Sequence, residues 1–235
     1  MKIIAEIGWN HCGDIKLAKQ MAKAAQENGA TYAKYQTWSV NRLKSGSWDK
    51  DGRRQIYEKA ELTKENHVEL INYCNEIGII FLSSVFSIPD AELLVKLGCK
   101  EVKIPSFESR NQELIQYCSN NFDTIFMSTG TSTFEEIKDS VNCANHENLY
   151  LLHCVSSYPC EPKIAIEFGA QVIEKHFTID NDLPGRDNKF AILPSDLANL
   201  SSYIKLREEM QIDHGLDYQK CEIDSRNNYT GRFNK

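Results

Sequence analysis

Residues Lys2–Gln36, KIIAEIGWNHCGDIKLAKQMAKAAQENGATYAKYQ, decide the fold. The stretch opens on an apolar run, Lys2–Ile7, and closes on another, Tyr32–Gln36. Between them Ile15, Ala18, Ala22 and Ala25 recur at helical spacing on one face, and Asn28-Gly29 supplies the stop. Short runs that are apolar on both faces and separated by a helix are the mark of a parallel sheet with crossover helices. The same unit recurs outward from this one. Strands are expected at Ile79–Ser83, Glu101–Ile104, Thr124–Ser128, Leu149–Cys154 and Gln171–His176, with an insertion at about 37–62. Helices run from Asn66 to Ile77 before Gly78 and from Ile88 to Leu97 before Gly98. Thr133-Phe-Glu-Glu136 is a capping box that opens a helix with Phe134, Ile137 and Val141 inward. Pro194 opens a last helix with Leu197, Leu200, Ile204 and Leu206 inward.

Repeated βα units leave a doubly wound sheet or a (β/α) barrel. No Gly-x-Gly-x-x-Gly follows the first strand, which counts against the dinucleotide fold. The expectation is a TIM-type (β/α) barrel over residues 1–210 and a polar tail over 211–235. The length of 235 residues is short for eight units, which typically take about 250 residues. The net charge of −6 excludes a polyanion-binding surface of general kind, so neither nucleic acid nor a membrane is an expected partner. No apolar run reaches the roughly 18 residues of a membrane span. The eight cysteines form no Cys-x-x-Cys pair and read as reduced thiols of a cytoplasmic protein.

In a barrel the chemistry sits at the C-terminal strand ends. Glu6 leaves the first strand inside an apolar run, where a carboxylate needs a partner or a task. Lys34 and Gln36 are two apart on the second strand and face the same way. Lys103, Ser106 and Glu108 follow from the fourth. Two lysines at one mouth would make a cationic pocket for phosphate or carboxylate, unless either points outward. Ser83-Ser84 and Ser128-Thr129-Gly130 suit either an anion at a helix start or plain capping. Glu174 and His176 share a face, as an acid/base pair, a metal ligand with its orienter, or a structural hydrogen bond.

Taken in order, the motifs Glu6-Ile-Gly-x-Asn-His, Lys34-x-Gln36-Thr, Phe81-Leu-Ser-Ser, Lys103-Ile-x-Ser106-x-Glu108, Ser128-Thr-Gly130, Leu152-His-Cys-Val-Ser-Ser-Tyr158-Pro, Glu174-Lys-His176-Phe-Thr and Pro184-Gly-x-Asp187 resemble the sialic acid (N-acetylneuraminate) synthase family, which includes legionaminate and pseudaminate synthases. The resemblance covers roughly residues 2–210, and Ser106-Phe107-Glu108 leans to the pseudaminate and legionaminate type. It implies condensation of phosphoenolpyruvate with an N-acylated hexosamine and water, giving a nine-carbon 2-keto acid and phosphate. It places phosphoenolpyruvate on Lys34, Ser84, Lys103, Ser106 and Ser128. Sugar binding and acid/base work fall to Glu6, Gln36, Glu108, Tyr158, Glu174 and Asp187. It also implies a divalent metal, Mn²⁺ or Mg²⁺, on His176, acting as Lewis acid.

The chain departs from this pattern at one place. Family members carry another βα unit, ending in Ser-Asp-His-Thr, between the Ser-Ser-Tyr-Pro segment and the Glu-Lys-His strand. Here only residues 160–170 join the two, with a short helix at Ile164–Phe168, and no Ser-Asp-His occurs. Seven strands and an incompletely closed barrel are therefore expected. The metal would be weakly held unless Glu174, His153, His11 or Asp187 completes its set. Residues 211–235 do not make the small antifreeze-like domain that many members append, and Arg207, Arg226 and Arg232 stand as candidates for its arginine. Open sheet edges would call for a partner subunit, a homodimer. The competing readings are a binding-only relative that lost a metal ligand and a Schiff-base aldolase using Lys34 or Lys103.

Overall fold

The structure is a computed structural model that describes residues 1–46, 49–154, 163–229 and 231–232. Seven strands alternate with helices. They are β1 (Lys2–Gly8), β2 (Tyr32–Thr37), β3 (Ile80–Val85), β4 (Glu101–Ile104), β5 (Thr124–Ser128), β6 (Leu149–Leu152) and β7 (Val172–His176). The helices are α1 (Ile15–Glu27), α2 (Arg53–Ala60), α3 (Lys64–Ile77), α4 (Ile88–Lys96), α5 (Gln112–Asn121), α6 (Phe134–Ala144), α7 (Lys163–Glu167), α8 (Pro194–Met210) and α9 (Ile223–Asn228). Every pairing is parallel, in the order β6-β5-β4-β3-β2-β1-β7. β6 and β7 are not hydrogen-bonded to each other but share one core, with Tyr150 and Val172 packed on the same cluster. The result is a nearly closed barrel with one unsealed seam. The strands fall within two residues of their expected bounds, and the helix beside the seam is Lys163–Glu167.

Local signals explain the helix ends. Asp14 caps α1 by accepting from the amides of Lys16 and Leu17. Thr63 with Asn66 and Thr133 with Glu136 form reciprocal capping boxes on α3 and α6. Two inward assignments are corrected. Phe134 is 77% exposed and Leu206 is 55% exposed. The packed stripe of α6 runs through Ile137, Ser140, Val141 and Ala144, and Phe134 precedes it at the first helical position.

The inward side chains stack in layers along the barrel axis, as period-two strands require. Ile4, Tyr32, Leu82, Phe126 and Leu152 pack together as one apolar cluster. Above them the register sets Glu6 beside Lys34 and His176, and Ser84 beside both Gln36 and Lys103. The inserted segment after β2 packs Trp38, Val40 and Ala60 against Trp9, Leu43, Tyr57 and Phe86 at the mouth. Gly13 permits that packing: at φ +85°, a Cβ there would lie 1.9 Å from the Lys59 carbonyl oxygen.

The chain forms two compact units, Met1–Ser201 and Ser202–Lys235, divided within α8. In the second unit Arg226 lies over Tyr218, 4.2 Å from the ring centre, and Arg232 lies over Tyr229 at 5.0 Å. Arg207 donates to Gln211 across one helical turn at 3.0 Å. No helix among the described residues is long and apolar enough to cross a membrane.

Candidate active site

Both lysines point into the barrel. Lys34 is 2% exposed and Lys103 3%, which removes the outward reading. Lys34 Nζ lies 2.5 Å from Glu6 Oε2 and 3.3 Å from Glu174 Oε1, and it donates to Ser84 Oγ at 2.8 Å. Lys103 Nζ lies 3.4 Å from the other oxygen of Glu174. Gln36 Nε2 donates to Glu6 Oε1 at 2.9 Å. Gly8, at φ +55°, lets Glu6 and Gln36 meet, since a Cβ there would lie 3.0 Å from Glu6 Oε1.

Two ammonium groups and two carboxylates therefore share one buried layer. The expected cationic pocket is corrected on this point: its charges cancel, because Glu174 reaches across the barrel from β7 to both lysines. Burial pushes the Glu174 carboxyl up, but Lys103, Lys34 and His176 outweigh it and hold it down to about 2. Burial works against the Lys34 ammonium, yet Glu174 and Glu6 more than offset this and raise its pKa. An anion could reach these two cations only by displacing the carboxylates that now partner them.

The rest of the mouth surrounds this cluster. Ser128 Oγ accepts from Cys154 Sγ at 3.1 Å. Ser106 lies across from Gly130, where a Cβ would stand 2.8 Å from its Oγ. Glu108 follows in the turn Ser106–Glu108 and accepts from Asn111 Nδ2 at 2.9 Å. Asp187 accepts from Trp9 Nε1 at 2.6 Å, and His176 Nδ1 lies 3.9 Å from the same carboxylate oxygen. Asn10 ties the β1 exit to Phe177 O at 2.9 Å, and Asn188 donates to Pro184 O at 2.8 Å, which fixes the loop carrying Asp187. Tyr158 lies outside the described residues. Trp9 is the residue that sequence reasoning missed. It fills the variable place in Glu-Ile-Gly-x-Asn-His, and a large indole directly after a strand exit was the available signal.

Among the described residues no three His, Cys, Asp or Glu side chains converge as a metal site. His11 does not complete one. It is fully buried with its Nδ1 lone pair committed to Gly13 N at 3.0 Å, and burial holds its imidazole down at about 4. His153 is exposed, Glu174 is taken by the lysines, and Asp187 is shared with Trp9. Among the described residues His176 and Asp187 are the donors at hand for the divalent ion that the resemblance implies, fewer than a complete protein-held set, so water or substrate would supply the rest.

A (β/α) barrel with paired lysines and carboxylates at its mouth is the class that fold and site define. The NeuB family profile matches residues 21–164 and 161–214, and the chain belongs to that family. The two matched pieces meet at the place where the sequence is short of a βα unit. An N,N'-diacetyllegionaminic acid synthase of Legionella pneumophila is 31% identical over 252 aligned positions, covering 86% of this chain and 71% of the relative. The alignment is longer than the whole chain, so the relative carries residues that this chain lacks. A pseudaminic acid synthase of Helicobacter pylori is 30% identical, covering 81% of this chain and 69% of the relative. Among solved structures, an N-acetylneuraminic acid (sialic acid) synthetase from Leptospira borgpetersenii, in complex with citrate, superposes with a TM-score of 0.81. It is 25% identical, covering 99% of this chain and 92% of that one.

Proposed function

We propose that this chain condenses phosphoenolpyruvate with an N-acylated hexosamine to a nonulosonic 2-keto acid and releases phosphate. The observation that carries the reading is the pair of buried lysines, Lys34 and Lys103, bridged by Glu174 at a barrel mouth. In this reading Lys34, Lys103, Ser84, Ser106 and Ser128 hold phosphoenolpyruvate, whose phosphate and carboxylate take over contacts now made by Glu6 and Glu174. The enol carbon C3 forms the new bond to the sugar aldehyde carbon. The aldehyde oxygen takes up a proton to become a hydroxyl, water adds at C2, and the C2–O bond to phosphate breaks to leave the ketone. Released from the lysines, Glu6 and Glu174 are placed to orient that water and accept its proton. Gln36, Glu108, Asp187 and Tyr158 address the sugar.

The described donors stop short of a divalent-ion site, so Mn²⁺ or Mg²⁺ enters only as an added, weakly held component. An imine at Lys34 is disfavoured, because an imine-forming lysine must be neutral and Lys34 is held further into the ammonium form. The test is phosphate release with phosphoenolpyruvate and a panel of N-acylated hexosamines, with and without Mn²⁺ and with a chelator. The product is read by mass spectrometry. The expected result is phosphate and keto acid in equal amounts, slowed by chelator. No release over blank with any sugar would support the binding-only relative instead.

A further inference from the structure

A run of aromatic rings crosses one side of the mouth. Trp9, at the exit of β1, stands 4.9 Å from Tyr57 of α2, centre to centre. Tyr57 meets Trp38 edge-on at 5.7 Å, and Trp38 meets Phe86 at 6.1 Å. Phe86 stacks on Phe107 at 5.5 Å. The chain of rings thus joins the exits of β1, β2, β3 and β4. Both ends lie at site groups: Trp9 holds the Asp187 carboxylate, and Phe107 sits between Ser106 and Glu108. Phe107 is 61% exposed, although a large ring in contact with others ordinarily gains by burial.

We infer that Trp9 is a positioning and specificity-determining residue for the acceptor sugar: its indole N–H orients Asp187, and its ring, with that of Tyr57, offers an apolar wall to the acyl substituent. The inference rests on the proposed condensation. Carbohydrate recognition pairs hydroxyl groups with carboxylates and apolar faces with aromatic rings, and this side of the mouth supplies both. The short Trp9–Asp187 bond joins an N–H donor to a charged acceptor, a class roughly twice as strong as neutral pairs. It replaces the freedom of a loop carboxylate with one orientation.

The test compares wild type with Trp9→Phe, which keeps a ring on the wall and removes the donor, and with Tyr57→Leu, which shortens the wall and leaves the donor in place. Trp9→Phe is expected to raise the hexosamine KM about tenfold, equivalent to about 1.4 kcal/mol, with the phosphoenolpyruvate KM within twofold of wild type. Tyr57→Leu is expected to reduce the preference for longer N-acyl chains and leave the phosphoenolpyruvate KM unchanged. Indole emission of wild type is expected to shift when hexosamine is added to the phosphoenolpyruvate-loaded protein, by less in Trp9→Phe. An unchanged hexosamine KM and emission response in Trp9→Phe would overturn the inference. Equal losses for both substrates would overturn it in favour of a purely structural Trp9. If wild type neither binds nor converts any hexosamine, the proposed condensation itself fails, and the inference with it.

Discussion

The two ends of this barrel hold lysines, one below and two above, and surround them differently. At the lower end Lys2 Nζ lies over three rings, 5.7 Å from the centre of Tyr32, 5.9 Å from Phe126 and 5.4 Å from Tyr150. The rings pack on one another, Tyr32 edge-on to Phe126 at 5.4 Å and Phe126 stacked on Tyr150 at 5.3 Å. At the upper end Lys34 and Lys103 are met by Glu6 and Glu174. Ring faces are built into the packing, so the lower partners cannot be exchanged for a ligand. Carboxylates are partners that an anionic substrate can displace. One end of the barrel is thus closed by packing, and the other holds its cations with partners that an anion could displace, although the same strands build both.

The comparison breaks most sharply at Lys34. Lys34→Met leaves Glu6 and Glu174 facing one another without their shared cation. Turnover is expected to fall by about 10³, the scale seen for loss of one preorganised donor. Stability should drop by about 3–5 kcal/mol, because a buried carboxylate is stranded. Steady-state rates and urea unfolding read the two effects. At the other end Phe126→Ala should cost about 3–5 kcal/mol in unfolding free energy through the cavity it leaves.

Acid should weaken the upper end next. His11 has a folded pKa of about 4 against 6.5 when unfolded, so the unfolded chain takes up its proton first as pH falls. Its contribution, up to about 3 kcal/mol for this displacement, is complete above pH 6.5 and lost towards pH 4. Glu174, held down to about 2, adds a second loss below its ordinary value of 4.5. Thermal melting from pH 7 to 4 should show a falling midpoint, and His11→Asn should flatten the part between pH 6.5 and 4. The smallest effect is expected from Lys2→Met, about 0.5–1 kcal/mol for an exposed cation over rings, with no change in KM.

The strands were legible because each is a short run, apolar on both faces and set off by Gly, Asn or a cap. The missing unit was legible as a break in motif order. What the sequence hid lies across the barrel. Period-two alternation places Glu174 inward, but not opposite Lys34 and Lys103, since β7 borders neither β2 nor β4. The expected cationic pocket failed for that reason. Phe134 was misassigned because helical spacing gives a face and not the point where the face runs out. Trp9 carried no polar signature beyond one N–H, and its partner Asp187 lies 178 residues away.

The central claim is that the upper lysines exchange carboxylate partners for phosphoenolpyruvate. Calorimetric titration of phosphoenolpyruvate into wild type, Lys103→Met and Lys2→Met tests it most directly. The account predicts binding to wild type and Lys2→Met alike, and at least about tenfold weaker binding to Lys103→Met, as loss of one charge-assisted contact implies. Equal affinity in wild type and Lys103→Met would contradict it.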